Sequence, residues 1–305
     1  MNNQEEKHGT LILCATPIGN LGDISHRALE TLKACDIIAA EDTRRTIQLL
    51  NHYQIKKPMV SYHQHNEKER EQQILSFLSE GKQVVLVSDA GMPGISDPGA
   101  DLVRVAISGG YGVTAIPGPS AFLLGLVLSG LPCDRFVFEG FLPRKKKDRI
   151  DQLKFLSQET RTIVLYEAPH RLLATLLEMR DHMGENRMMA VARELTKHFE
   201  EIRRGTVGEM VVFYTTVKPR GEFVLVIHGA DVSGQEKITE QANRTDAYAL
   251  AKQKILDGMT LKDAARFAAV ETGVSRRDLY NRLIDRGQSQ SKSNQEDKPN
   301  GGPDY

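Results

Sequence analysis

The sequence predicts an α/β protein made of two α/β halves followed by a small helical domain. Three observations predict this fold class. Short apolar runs alternate with amphipathic stretches up to residue 116, and the alternation resumes after Pro132 with some strands no longer separated by helices. Residues 244–287 then carry helical patterns alone. The chain has 305 residues, and a domain typically takes about 150, so the length also favours more than one domain.

The first half is expected to hold a parallel or mostly parallel sheet with helices on both faces, because its strands and helices alternate. Ser25 is expected to cap the first helix. The predicted strands are residues 11–15, 37–40, 59–62, 84–87 and 113–116. The predicted helices are residues 25–34, 43–50, 66–80 and 102–108.

The second half is expected to hold a mixed sheet, because some of its strands follow one another without a helix between them. Thr206 and Glu209 form a capping box in front of the helix at 207–214. The other predicted helix is 172–183, and the predicted strands are 136–138, 162–166, 188–192, 201–205 and 223–228. We place the two α/β domains at residues 1–120 and 121–232.

The chain after residue 231 changes character. Residues 231–243 are polar and aperiodic, which predicts a linker. Three helical segments follow in a domain at 244–287, where Thr260 caps a helix at 261–272, Gly273 breaks it and Ser275 caps a helix at 276–286. Helix, short turn and helix is the helix-turn-helix pattern. Residues 288–305 are polar and expected to be disordered.

Composition excludes several classes of protein. Lys plus Arg is 40 and Asp plus Glu is 40, which excludes a bulk polycation but allows a local basic patch. Cys14, Cys35 and Cys133 are far apart, so a zinc knuckle or a disulfide framework is not expected, and we predict no metal site. The polar stretch 1–7 does not resemble a signal peptide, and the longest apolar run, 121–128, is too short to span a membrane. A cytoplasmic protein without a membrane anchor is therefore expected.

Three loops rich in glycine and proline follow predicted strands. They are ATPIGNLGD at 15–23, SDAGMPGISDPG at 88–99 and IPGPSA at 116–121, in which Ser120 is expected to cap a helix. The carboxyl ends of parallel strands share one edge of a sheet, and open α/β sheets bind ligands there. The first loop lacks the GxGxxG spacing, and Pro17 has no N–H to donate to a phosphate. HExxH, GxSxG and GxxxxGK[ST] are absent, which disfavours zinc proteases, serine hydrolases and P-loop NTPases.

Three charged motifs also follow predicted strands: AEDTRR at 40–45, YEAPHR at 166–171 and ARELTK at 192–197. Each one alone could be a helix cap or a surface ion pair. Six motifs in this order, however, resemble the tetrapyrrole-methylase-like superfamily, and most closely its ribosomal RNA branch, over residues 9–229 and in the helical tail. The resemblance implies a homodimer that transfers a methyl group from S-adenosylmethionine to the 2′-oxygen of a cytidine in the 16S rRNA of the small ribosomal subunit.

The resemblance also implies a donor pocket between the two α/β halves. It places around the methionine and ribose of the donor Pro17, Asp89, Ala90, Gly91, Met92, Pro93, Gly94, Ile95, Ser120 and Ala121. Around the adenine it places Tyr166, Glu194, Glu222, Phe223 and Val224. Tetrapyrrole-specific members carry a GDP-type turn where this chain has Asp89-Ala90-Gly91-Met92, which counts against a tetrapyrrole substrate.

Transfer to a ribose hydroxyl requires alignment of the reactants and removal of a proton. The candidate bases are Glu41, Asp42, Glu167 and Glu194, with His170 and Lys197 as weaker ones, and orientation without a base remains an alternative. Arg44, Arg171 and Arg193 are candidates to hold phosphate, and His170 and Lys197 are further candidates to contact the RNA.

RNA also requires a positive surface. Arg144, Lys145, Lys146, Lys147 and Arg149 form a basic run in an expected loop, and Arg276 and Arg277 lie on the last predicted helix. Either set could instead be a solvated surface, and the tail helices could merely pack on a neighbouring domain. The alternatives for the whole chain are a tetrapyrrole methyltransferase and a non-catalytic nucleic-acid-binding regulator.

Overall fold

The computed structural model describes residues 9–231 and 247–284, apart from 273, 278 and 282. The chain forms two compact units, Met1–Ala230 and Asp231–Tyr305. Several predicted features lie outside the described residues: the amino-terminal segment, most of the linker, the turn at Gly273 and the polar tail. Within the described ranges, the structure contains no helix with the length and apolar character needed to cross a membrane.

The first half of the larger unit contains a fully parallel five-stranded sheet in the order β3-β2-β4-β1-β5. Its strands are β1 Thr10–Cys14, β2 Ile37–Ala40, β3 Met59–Ser61, β4 Gln83–Val87 and β5 Gly112–Ile116. Its helices are α1 His26–Ala34, α2 Thr43–His52, α3 Glu67–Ser79 and α4 Ala100–Ser108. Ser25 caps α1 as predicted, with its side chain accepting from the Ala28 N–H. Apolar clusters cover both faces of the sheet, which is why β2 is buried along its whole length.

The second half contains a mixed sheet in the order β6-β7-β10-β8-β9, as expected. Only the β6–β7 pair is parallel among these strands. The strands are β6 Phe136–Phe141, β7 Thr162–Glu167, β8 Met188–Arg193, β9 Glu201–Thr206 and β10 Phe223–Ile227. The helices are α5 Ala121–Ser129, α6 Lys146–Ser157, α7 Leu172–Met183 and α8 Val207–Thr216. The predicted capping box of Thr206 and Glu209 is confirmed at the start of α8.

Helix α5 packs on the central strand of the second sheet. A Cβ at Gly125 would lie 2.7 Å from the Val224 side chain, so a glycine lets the helix approach β10 this closely. Ser120 occupies the position before α5 as predicted, but its side chain accepts no capping hydrogen bond. The apolar side chains of α5 instead form a cluster with β7, β8 and β10.

Helix α6 is the main departure from the predicted fold. The basic run was expected in a loop, but Lys146 and Lys147 lie in the first turn of this helix. Lysine and arginine are good helix formers, and buried Leu153 and Leu156 recur at a spacing of three on the inner face. The run of charges obscured this helical pattern in the sequence.

The smaller unit is helical where it is described. Residues 247–256 form α9, Leu261–Thr272 form α10, and the described residues between 276 and 284 are also helical. Thr260 caps α10 as predicted, because the Asp263 N–H donates to Thr260 Oγ1 at 3.2 Å. Alanine and leucine side chains from the three segments form a small core.

Candidate active site

The three glycine-rich loops of the first half meet at one edge of its sheet, as predicted. Thr16 and Gly91 pair as an isolated antiparallel bridge, with N–H to carbonyl distances of 2.9 and 3.1 Å. The Thr16 hydroxyl also donates to the Ser88 carbonyl at 3.2 Å. Gly91 has φ +82°, a conformation that favours glycine. The loop after β4 is therefore fastened to the loop after β1.

A cavity of about 350 Å³ lies between this edge and the corresponding edge of the second sheet. Its wall contains residues from all three glycine-rich loops and from two of the charged motifs, those after β7 and β8. The lining residues are Ile18, Ala90, Met92, Ile95, Ser96, Asp97, Ser120, Ala121, Phe122, Phe141, Tyr166, Glu167, Ala168, Pro169, Glu194, Leu195, Lys197, Glu222, Phe223 and Val224.

Most residues that the resemblance placed around the donor line this cavity. Those on the wall are Ala90, Met92, Ile95, Ser120, Ala121, Tyr166, Glu194, Glu222, Phe223 and Val224. Those outside the wall are Pro17, Asp89, Gly91, Pro93 and Gly94. The second group lies in the two loops that carry wall residues, and its part in donor binding stays a prediction.

Glu41 and Asp42 lie behind the cavity wall rather than on it. Glu41 accepts a hydrogen bond from the Asp89 N–H at 3.2 Å, and Asp89 accepts one from the Asp42 N–H at 3.0 Å. Burial raises the pKa of Glu41, and the nearby Asp89 carboxylate adds to this effect. These contacts fix the loop after β4 to the end of β2. They give Glu41 a role in positioning this loop, and Glu41 is not among the residues that line the cavity.

Asp42 and Arg44 form a helix cap and a local ion pair, which is the alternative given above for the AEDTRR motif. Asp42 accepts from the Arg44 N–H at 2.9 Å and from its guanidinium at 2.7 and 3.0 Å. These bonds lower the pKa of Asp42 to about 2. Asp42 is therefore a helix cap and a poor base, and Arg44 is an exposed side chain paired with its own cap.

Glu167 is unsuited to the base role proposed for it, because its carboxylate is buried and already bonded. Thr175 Oγ1 donates to it at 2.6 Å and the Ala168 N–H at 2.8 Å, while Arg171 Nε lies 3.4 Å away. Arg171 also donates to the Leu142 carbonyl at 2.9 Å. Glu167 and Arg171 thus hold the YEAPHR turn in shape, whereas the neighbouring His170 is exposed.

Glu194, Lys197 and Glu222 form a charged group on the cavity wall. Lys197 Nζ lies 3.0 Å from Glu194 Oε1 and 2.9 Å from Glu222 Oε2. Burial raises the pKa of Glu194, but the bonds from Lys197 and the Glu222 N–H outweigh it, and the pKa is lowered. The aliphatic part of Lys197 packs on Gly19, so this residue connects the first loop of one half with the wall of the other.

The basic run begins three residues after Phe141, which lines the cavity. Arg144, Lys145, Lys146 and Lys147 are exposed, whereas Arg149 pairs with Glu178. Arg193 points instead toward Glu201, with Nε 3.7 Å from its carboxylate. Arg276 and Arg277 are exposed residues of the smaller unit. In the part of the chain that the structure describes, three or more metal-ligating side chains do not come together.

Asp97 and Phe122 are the most informative wall residues that the sequence analysis missed. Asp97 stands in the quoted SDAGMPGISDPG loop, but the resemblance assigned donor contacts only up to Ile95. Burial raises the pKa of Asp97 to about 7, and the carboxylates of Glu41 and Asp89 contribute. Phe122 stacks on Phe138 with ring centroids 4.4 Å apart, and it could have been suspected only from its place after IPGPSA.

Comparisons with known proteins agree with this architecture. Residues 10–211 match the family model of tetrapyrrole (corrin/porphyrin) methylases, and residues 246–287 match that of the RsmI C-terminal HTH domain. In solved structures, the chain resembles the uroporphyrin-III C-methyltransferase of Thermus thermophilus complexed with S-adenosyl homocysteine. The TM-score is 0.51 at 17% identity, covering 72% of this chain and 97% of that one, which supports the fold alone.

Relatives in sequence are much closer. The ribosomal RNA small subunit methyltransferase I of a Synechocystis strain is 49% identical over 272 residues, which are 89% of this chain and 96% of that protein. The protein of the same name from Thermotoga maritima is 49% identical over 223 residues, which are 73% of this chain and 100% of that protein. The chain therefore belongs to the tetrapyrrole methylase family and, within it, to the ribosomal RNA small subunit methyltransferase I group.

Proposed function

We propose that this protein transfers a methyl group from S-adenosylmethionine to the 2′-oxygen of a cytidine ribose in 16S rRNA, on the small ribosomal subunit. One observation carries the proposal beyond family membership. The cavity between the two α/β halves lies next to an exposed basic run, because Arg144 follows the wall residue Phe141 by three positions. A small-molecule pocket beside a positive surface suits a small donor and a polyanionic acceptor.

The residues present fit the proposed donor. A cavity of about 350 Å³ is at the lower end of the usual range for small ligands, roughly 300–1,000 Å³. Tyr166, Phe223 and Val224 offer an aromatic and apolar wall for a base. Ser120 and Asp97 offer polar groups on the loops of the first half. When bound, S-adenosylmethionine supplies a methyl group on a positively charged sulfur, which is activated for transfer.

The chain's contribution to the reaction is mainly orientation. Holding two reactants in line can supply roughly 7–11 kcal/mol of the barrier. Of the four acidic residues predicted as bases, Glu194 combines a place on the wall with a partly exposed carboxylate. Its pairing with Lys197 lowers its pKa and weakens it as a base. We therefore propose Glu194 as the group that accepts the hydroxyl proton, with a modest share of the rate enhancement.

The acceptor is proposed to bind through the exposed basic run, with help from Arg276 and Arg277 of the helical unit. The Thermotoga maritima relative matches 223 residues of this chain over its full length, about the length of the α/β part. This length supports a core that carries the chemistry and a helical unit that is an accessory. Deleting residues 244–305 should then preserve donor binding and reduce affinity for the subunit.

A methyl-transfer assay with labelled donor tests the proposal. The acceptors are small ribosomal subunits, naked 16S rRNA and a uroporphyrinogen-type tetrapyrrole. We expect label in the RNA of the subunit, located by nuclease digestion in a cytidine resistant to alkaline cleavage on its 3′ side, because that cleavage needs a free 2′-hydroxyl. Label in the tetrapyrrole, or on a nucleobase, would overturn the proposal. Binding of subunits without transfer would favour a non-catalytic regulator.

We also propose that the protein acts as a homodimer in the cytoplasm, where ribosomal subunits are assembled. Self-association would cover apolar side chains that the larger unit exposes, among them Val127 and Phe199 at 68% and 67% exposure. Sedimentation equilibrium of the intact protein and of a Val127→Lys variant tests this. A monomeric parent protein would contradict it.

A further inference from the structure

Asp97 places a carboxylate on the wall of the cavity. Within the described residues, its side chain forms no ion pair, and the Ser88 hydroxyl is its hydrogen-bonding neighbour. The charged groups nearest to it have the same sign, namely Glu41 at the end of β2 and Asp89 after β4. Arg45 is committed to Asp89, with Nη1 to Oδ2 at 3.3 Å.

The opposite wall does not supply a positive charge for Asp97 either. Lys197 is bonded to both Glu194 and Glu222, and Tyr166 is a neutral phenol that burial keeps protonated, with its pKa raised to about 12. Glu167 is enclosed by its own partners. Among the residues that the structure describes, none places a positive charge on this carboxylate, which is partly removed from water. A bound cation would relieve this unfavourable arrangement.

The donor offers two positive charges with different surroundings. Its ammonium stands beside its own carboxylate, which compensates it within the molecule. Its sulfonium has no counter-charge of its own. In the reaction the sulfur keeps the electron pair of the broken carbon–sulfur bond and becomes a neutral thioether, the methyl group goes to the ribose oxygen, and the hydroxyl proton leaves to a base or to water. The product has thus lost the charge that distinguishes the donor.

We propose that Asp97 is the counter-ion of the donor sulfonium, and that it makes the site prefer the donor over the demethylated product. This inference rests on the proposed use of S-adenosylmethionine at this site. Asp97 is a specificity-determining residue here, because the same carboxylate that attracts the charged donor offers nothing to the neutral sulfur of the product. Release of the product after transfer follows from the same asymmetry.

Calorimetric titration of the intact protein with S-adenosylmethionine and with S-adenosylhomocysteine tests the proposal. Asp97→Asn should weaken binding of the donor by about tenfold to hundredfold, the range by which one nearby opposite charge shifts an equilibrium. Its affinity for the product should remain within about twofold of the parent's. Asp101→Asn is the matched control, since Asp101 lies four residues on, pairs with Arg104 and is outside the cavity wall.

A pH series on the unmodified protein is a second test of the proposal and needs no variant. Only the ionised carboxylate attracts the sulfonium, and its pKa of about 7 in the free protein places the change near neutrality. From pH 6 to pH 8, affinity for the donor should rise by up to about tenfold relative to affinity for the product, which carries the same amino group and serves as the baseline. Glu41→Gln should retain this relative rise with a lower midpoint, because it removes a like charge.

Three results would overturn the inference. Equal losses of donor and product affinity in Asp97→Asn would assign the carboxylate to the ammonium. Unchanged donor affinity together with slower single-turnover transfer would make Asp97 a base. Parallel pH profiles for the two ligands would show that Asp97 does not interact with the sulfonium. The titrations and the pH profiles need no RNA, so failure of the inference is distinct from failure of the proposed function, which the acceptor assay decides.

Discussion

Arg149 and Glu178 form a two-point ion pair that fastens the start of α6 to α7. Arg149 Nε and Nη2 lie 2.6 and 2.8 Å from the two carboxylate oxygens, and Nη1 donates to the Arg144 carbonyl at 3.1 Å. Both side chains are largely buried, at 11% and 14% exposure. One member of the basic run thus faces inward and bonds to the backbone at Arg144, where the exposed part of the run begins.

Removing this pair should destabilise the protein. Arg149→Gln leaves Glu178 buried without its partner, and we expect the free energy of unfolding to fall by about 2–3 kcal/mol. Glu178→Gln should cost a similar amount, and the double variant should cost much less than the sum of the two. Arg180→Gln, which removes an exposed pair with Asp181, serves as the control and should change stability by less than about 0.5 kcal/mol. Urea unfolding measures all four, and additive losses would contradict the coupling.

The exposed members of the run should carry substrate affinity. Replacing Arg144, Lys145, Lys146 and Lys147 with glutamine removes up to four phosphate contacts, each contributing about 0.7–0.9 to the slope of log affinity against log salt. We expect weaker binding of the small subunit and a shallower slope, with donor affinity unchanged. A variant with glutamine at Lys33, Lys56, Lys68 and Lys218, four exposed lysines elsewhere, controls for the same change in net charge. Equal slopes would mean that the run is a solvated surface and that the RNA site lies elsewhere.

Most of the α/β framework could be predicted because its signals are local. The strands β2 and β4 are continuous apolar runs, and Ser25, Thr206 and Thr260 cap the helices that follow them. Helix α6 was missed because its first turn consists of charges that usually indicate a loop. Its helical period shows only from residue 150 onward.

The site was predicted less completely because its chemistry depends on contacts between distant segments. Glu41 and Asp89 are 48 residues apart, yet their hydrogen bond decides that Glu41 supports a loop. The sequence predicts a reactive carboxylate at Glu167, but in the structure the hydroxyl of Thr175, eight residues on, donates a hydrogen bond to one of its oxygens. The pKa of Asp97 is raised first by burial and then by the carboxylates of Glu41, at the end of β2, and of Asp89, earlier in its own loop. No local pattern records these relationships.

Substitution of Gly91 tests whether the conformation of the loop after β4 affects donor binding. A Cβ at Gly91 would meet the Ile18 side chain at 3.5 Å, an ordinary contact, so the constraint on this position is the φ of +82°. Gly91→Ala should lower stability by about 1 kcal/mol and weaken donor binding, because relaxing the strain moves the residues that line the cavity. Gly110→Ala is the matched control, with φ +76° and open space around its Cβ. It should cost similar stability and leave donor affinity unchanged. Equal donor affinities in the two variants would refute the placement.

Substitutions of Glu194 and Glu41 distinguish a residue that takes part in catalysis from one that only positions a loop. Glu194→Gln keeps the shape of the side chain and removes the proton acceptor, so single-turnover transfer should slow by about 10²-fold, the lower end of general-base effects. Glu41→Gln should slow it by less than about threefold, since Glu41 lies behind the wall. Donor affinity is measured in parallel to exclude a binding effect. Rates at the parent level in both variants would leave orientation alone as the source of catalysis.

Asp97 should make stability depend on pH in the sense opposite to most carboxylates. Its pKa is about 7 in the folded protein and near 3.8 in the unfolded chain. Below about pH 4 the group is neutral in both states and has no effect. Between pH 4 and pH 7 the unfolded chain ionises while the folded protein retains the proton, so stability falls as pH rises. Above pH 7 the loss of stability caused by the ionised carboxylate has reached its full value and no longer changes with pH.

Asp97→Asn should therefore stabilise the protein at high pH. Because the side chain is only partly buried, solvent screening reduces the full shift to a gain of about 1–2 kcal/mol at pH 8, shrinking to a few tenths near pH 4.5. Asp101→Asn provides the control for removing a nearby carboxylate that pairs with Arg104. Urea unfolding at the two pH values checks the prediction. A variant that is more stable at pH 8 but binds the donor less well would show that the folded protein keeps an unfavourable charge for use on its ligand, whereas a loss of stability at pH 8 would show that Asp97 is instead a structural group with a partner of its own.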